Sequence, residues 1–244
     1  MPDPRSLAYL DAMGIDVYVR RGLVRTAQPV AHAVPPDAPV IAVAVVPGPE
    51  AALDWERLRE AVAACTRCEL HATRTQTVFG IGSHQARWMF IGEAPGADED
   101  QQGEPFVGRA GQLLTSMIRA SGLRREEVYI ANVLKCRPPG NRDPKPAEAA
   151  SCRGYLERQI ELVSPALIVA VGRIAAQNLL GTDAPLARLR GRVHELGPRA
   201  WPLIVTYHPA YLLRSPGEKR KAWQDLLLAR QTVARLARGE RAAP

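Results

Sequence analysis

A chain of 244 residues with 46% hydrophobic content can bury one sizeable core and still carry an appendage. The 32 Lys and Arg against 25 Asp and Glu leave a formal net charge of +7, which favours an anionic partner such as nucleic acid over an acidic protein. The apolar runs stop short of the roughly 18 residues of a membrane span, and MPDPRSLAYLDAMG lacks a secretory signal's basic start and apolar stretch. A cytoplasmic protein with no membrane partner is expected.

In chain order, residues 1–27 form a short mixed segment, followed by QPVAHAVPPDAPVIAVAVVPGPE at 28–50. That stretch is rich in Pro, Ala and Val without helical periodicity and reads as an extended linker. Ordered structure is expected from the helical pattern EAALDWERLREAVAAC, near residues 50–65. Strand-like runs then follow at 87–92, 127–134, 166–172 and 202–208. Helical patterns occupy about 109–121, 146–163, 173–180 and 218–238. Short apolar runs alternating with helices predict an α/β fold, a buried parallel sheet with helices on both faces. Ligands of such sheets bind at the carboxyl ends of the strands. Glu93, Asn132, Gly172 and His208 all fall there.

The stretch after the first strand, GEAPGADEDQQGEPFVG (92–108), looks like a phosphate-binding turn by its glycines. Its charges contradict that reading: Glu93, Asp98, Glu99, Asp100 and Glu104 precede the first cation, Arg109. The four cysteines are Cys65, Cys68, Cys136 and Cys152, a C-x2-C pair followed by C-x15-C. A cytoplasmic setting disfavours two disulfides, and the thioredoxin-like context of a redox CTRC is absent. Four thiolates with none spare suit one metal site, either zinc or a cubane cluster, and spacing leaves both open. The metal reads as a structural staple for the proline-rich loop KCRPPGNRDPKPAEAASC, presenting Lys135, Arg137, Arg142 and Lys145 to a phosphate backbone.

The motifs GEAPGADEDQQGEPFVGRAGQLL, NVLKCRPPGNR and HPAYLL, with the four cysteines, closely resemble the family 4 uracil-DNA glycosylases. The resemblance spans roughly residues 60–235. It implies a three-layer α/β/α fold around a four-stranded parallel sheet, with residues 51–240 as the catalytic domain. It also implies a [4Fe–4S] cluster on Cys65, Cys68, Cys136 and Cys152, and release of uracil from single- or double-stranded DNA by a monomer. A related group carries a histidine-bearing basic insert that captures the abasic product covalently. Here the corresponding segment, RPPGNRDPKPAE, has no histidine, and His194 lies too far along to inherit the role, which favours ordinary turnover.

Such chemistry needs negative charge under a developing sugar cation and donors at uracil O2. Glu93 is the candidate for orienting water and stabilising the sugar, and His208 for donating to O2 as a neutral imidazole. Amides around Glu93 and Ala94 could also contact O2. Phe106 is placed to stack on a flipped base. Asn132 can pair with uracil O4 and N3–H, a pattern that cytosine reverses. Glu99 and Asp100 are open between shaping the pocket and capping. Leu212 or Leu213 could wedge the duplex, RSPGEKRK could touch the backbone, and Trp223, Leu227 and Leu228 are expected to pack the last helix. The competing expectation is a non-catalytic, metal-stapled DNA-binding module on the same scaffold.

Overall fold

The computed structural model describes residues 48–240. The segments expected at 1–27 and in the linker up to 47 lie outside them. Residue 50 does not extend the linker: Glu50 is buried and ion-paired with Arg67.

Four strands run parallel: β2 (Trp88–Gly92), β3 (Tyr129–Asn132), β4 (Leu167–Val171) and β6 (Trp201–Thr206). Two short antiparallel edge strands, β1 (Ile81–Gly82) and β5 (Val193–Leu196), complete a six-stranded sheet of order β1-β3-β2-β4-β6-β5. The expected four-stranded sheet is its centre. The edges escape periodicity because β1 has two residues and β5, VHEL, is only partly buried.

Alternation along the strands splits the core in two. Met89, Ile91, Ile168, Ala170, Leu203 and Val205 face α4 (Pro146–Val163) and α5 (Arg173–Leu180). Phe90, Ile130, Val169 and Ile204 face the opposite way. They pack on α3 (Arg109–Ala120), α7 (Pro209–Arg214) and α8 (Lys219–Ala237). Three layers result, with α1 (Trp55–Ala63) packed on α4. Helix α4 begins as its sequence predicts: Pro146 fills the first turn and the Glu148 carboxylate accepts from the Lys145 amide at 2.8 Å. Three short helices, α2 (Ala97–Gln102), α6 (Leu186–Leu189) and α7, have too few residues to show a helical period.

The chain leaves β2 for β3 on one side and later returns to place β4 on the other. The carboxyl ends of β2 and β4 therefore flank a crevice where the strand order reverses. Among the described residues, no helix is long and apolar enough to cross a membrane.

Candidate active site

Gly92 ends β2 and stands directly beside Asn132, the last residue of β3. Asn132 is 2% exposed, and its Oδ1 is buried without a hydrogen-bond partner. A buried acceptor left unpaired costs about 1–3 kcal/mol, so this oxygen marks a place where a donor is wanted. A side chain at residue 92 would remove the space. Its Cβ would stand 2.4 Å from Asn132 Oδ1 and 2.5 Å from the Phe106 ring. Glycine there keeps open the gap between amide and ring.

Phe106 adopts φ 55°, the left-handed region that a large side chain avoids. Its surroundings hold it there. Glu99 accepts from the Gly96, Val107 and Gly108 amides at 3.0, 2.9 and 3.3 Å. Arg125 donates to the carbonyls of Pro105 and Phe106 at 2.7 and 3.2 Å. Backbone strain of roughly 1–3 kcal/mol persists only where such neighbours over-determine it. The role of Glu99 is thus to brace the loop. Asp100, also buried, accepts from the Thr75 amide at 3.0 Å through both oxygens. Two of the five carboxylates of residues 92–108 build the turn, Asp98 and Glu104 are exposed, and Glu93 is partly buried at the end of β2.

His208 caps α7: its Nδ1 accepts from the Ala210 amide at 3.2 Å. That bond places the imidazole proton on Nε2, which leaves a neutral ring with a donor. Burial is the main cause that lowers its pKa from 6.5 to about 4, assisted by the charge of Arg214. The ring lies 5.7 Å from that of Phe106, centroid to centroid, tilted by 31°. Gly172, at φ 100°, lets β4 approach this closely, since a Cβ there would sit 2.9 Å from His208 Cβ.

Glu93 is partly buried. Desolvation, with Asp143 adding to it and Arg173 opposing, raises its pKa from 4.5 to about 7. Arg173 and Asp143 are themselves paired at 2.7 Å. The sequence reading missed both. Arg173 directly follows Gly172 at a strand's carboxyl end, a position that could have exposed it; Asp143 gave no comparable signal. Ala94, next to Glu93, is partly buried against the core.

The four cysteines, none of them in a disulfide, line a single pocket with Val62, Tyr155 and the basic residues Arg67, Arg74 and Lys135. Cys65 and Cys68 follow α1, Cys136 follows β3 and Cys152 lies in α4. Arg74 Nη1 donates to Cys136 Sγ at 3.0 Å. Four sulfurs converging from three segments, ringed by positive charge, fit an anionic thiolate-bound group. Among the described residues, no three His, Cys, Asp or Glu are grouped as ligands of one metal ion. The fit therefore rests on the shared pocket and its cations.

Two expectations are overturned. Lys135 cannot meet a phosphate backbone, because it is 1% exposed and bonded inside the core. Arg142 is committed to a bidentate pair with Glu148 at 2.6 and 2.9 Å. Arg137 and Lys145 stay at the surface. Leu212 is fully buried, whereas Leu213 and Tyr211 are the exposed large apolar side chains of the described residues. Trp223 and Leu228 pack α8 on the core as expected; Leu226, rather than Leu227, is its buried leucine. His194 lies in β5, bonded to the Leu189 carbonyl.

Comparison with known proteins agrees with this geometry. Residues 79–227 match the family model described as the uracil DNA glycosylase superfamily. A type-4 uracil-DNA glycosylase of Archaeoglobus fulgidus is 50% identical over 163 residues, covering 64% of this chain and 81% of that protein. One from Thermotoga maritima is 48% identical over 162 residues, 66% of this chain and 83% of its own. A type-5 uracil-DNA glycosylase of Thermus thermophilus is more distant, at 29% over 176 residues, 64% of this chain and 80% of its own. On this sequence likeness, the chain belongs to the uracil-DNA glycosylase superfamily and, within it, to the type-4 family.

Proposed function

We propose that the chain is a monofunctional uracil-DNA glycosylase of base excision repair, which hydrolyses the N-glycosidic bond of uracil in DNA and leaves an abasic site. One observation carries the reading: the buried, unpartnered Oδ1 of Asn132, facing the gap that Gly92 leaves beside Phe106. Uracil brings an N3–H to that acceptor and its O4 to the amide's Nδ2. Cytosine presents an acceptor at N3 and donors at N4, so Oδ1 stays unpaired and two donors collide.

The nucleotide must leave the duplex to reach this depth. Phe106 then stacks on the base. The neutral His208 donates through Nε2 to uracil O2 as the base leaves with negative charge, and amides around Ala94 can add to that donation. Ionised Glu93 orients the attacking water and stabilises the cationic sugar. Exposed Leu213, with Tyr211, fills the space the nucleotide vacates. Arg137, Lys145, Arg214 and Arg220 supply surface positive charge for the backbone.

A [4Fe–4S] cluster held by Cys65, Cys68, Cys136 and Cys152 would supply no chemistry to hydrolysis; bound, it staples α1, the loop after β3 and α4 together. Residues 51–240 act as one catalytic domain, as a monomer. Uracil-containing oligonucleotides, single-stranded or paired U:G and U:A, test the reading. Alkali-labile sites at the uracil position support it. Intact strands after incubation with iron-loaded protein refute it.

A further inference from the structure

Lys135 is a buried amine that hydrolysis does not use. Its Nζ donates to the Asn132 carbonyl at 2.9 Å and to Gln159 Oε1 at 2.6 Å, both neutral oxygens. Cys152 and Cys136 are its neighbours on the side of the cysteine pocket. Gln159 is fully buried, and its Nε2 donates to the Phe79 carbonyl at 2.9 Å and to the Tyr129 hydroxyl at 3.1 Å. Cys152 and Gln159 stand seven residues apart on α4, hence on one face of it. That helix face carries both a cysteine of the pocket and the amide that aims the Lys135 amine.

The other end of this chain of bonds is the base-reading residue. Just past Asn132, the Val133 amide donates to the Gly92 carbonyl at 2.9 Å and the Leu134 amide to the Glu93 carbonyl at 3.0 Å. Residues 132–135 thus fix both the Asn132 turn and the backbone of Glu93. Both acceptors keep this buried amine satisfied.

The geometry points to Lys135 as a positioning residue for uracil recognition: its Nζ, aimed by Gln159, clamps the Asn132 carbonyl and holds the Asn132 amide and Glu93 in register. The inference rests on the glycosylase reading. It makes the buried face of α4 that carries Gln159 a contributor to base selection without any substrate contact.

The test compares wild type, Lys135→Met, Asn132→Ala and the double variant, all iron-loaded, with iron content measured. Lys135→Met should lower the single-turnover rate on uracil DNA by about 10- to 100-fold, with DNA affinity within about twofold. In the Asn132→Ala background the same change should cost less than about threefold, because a residue acting through Asn132 is non-additive with it. Without DNA, amide exchange in residues 129–136 should quicken by at least about tenfold, while residues 166–172 keep their protection. Equal losses in both backgrounds, or wild-type rate and exchange with full iron, would overturn the inference. If Lys135→Met does not fold, Lys135→Arg carries the same comparison, keeping donors and losing the single-point geometry. The exchange arm needs no activity, so failure of the glycosylase reading would leave it readable.

Discussion

Replacing Glu93 with Gln should abolish activity and stabilise the protein. Desolvation in the crevice, reinforced by Asp143, raises the carboxyl from 4.5 to about 7. Each pH unit is worth about 1.4 kcal/mol, so ionised Glu93 costs the fold up to about 3 kcal/mol. Water reaching the mouth of the site reduces that to about 2 kcal/mol. The sign follows from proton binding. Between pH 4.5 and about 7 the folded protein keeps a proton that the unfolded chain has released, so stability falls as pH rises through that window. Gln has the same shape and no charge to bury. The variant should melt about 4–8 °C above wild type at about pH 8, with a much smaller difference at about pH 5. Thermal melts of iron-loaded protein at both values measure it. A Glu93→Gln protein no more stable than wild type at about pH 8, or equally stabilised at both pH values, would refute the desolvated carboxylate.

The pH profile of kcat/KM should show one acid limb at about 7 from Glu93, falling tenfold per unit below it, and none from His208, whose pKa of about 4 keeps it neutral. His208→Ala should lower the rate of uracil release by about 10²- to 10³-fold, the cost of losing one oxyanion donor, with DNA affinity nearly unchanged. Gly92→Ala should block the pocket, since the new Cβ would sit 2.4 Å from Asn132 Oδ1; uracil release falls below detection while the protein still binds DNA. Leu212→Ala should cost about 2–5 kcal/mol of stability as a core truncation. Leu213→Ala should leave stability unchanged and slow excision from duplex more than from single-stranded DNA.

The four central strands and the long helices could be read from the sequence because each buries a continuous or periodic face. Helix α4 matches the expected 146–163, and its start is held by Pro146 and the Glu148 carboxylate. Asn132 stands out as a polar residue closing an apolar run, whereas His208 is legible only through the HPAYLL motif. Side-chain direction was not readable. Lys135 sits in a basic loop and looks like its neighbours, yet it turns inward, where the Asn132 carbonyl and Gln159 accept from its Nζ. Glu99 and Asp100 belong to an acidic run whose members separate only when the amides of Val107, Gly108 and Thr75 are placed in space. Leu212 and Leu213 differ by one step around α7, which decides between core and solvent, and six residues show no period that could tell them apart.

The central claim is that this crevice removes uracil from DNA by reading it with Asn132 and hydrolysing it with Glu93. Mass detection of the free base released from mixed oligonucleotides containing uracil and cytosine tests it most directly. Wild type should release uracil and no cytosine, and Glu93→Gln should release neither while still binding the DNA. Uracil release by Glu93→Gln at the wild-type rate, or no release by iron-loaded wild type, would contradict the account.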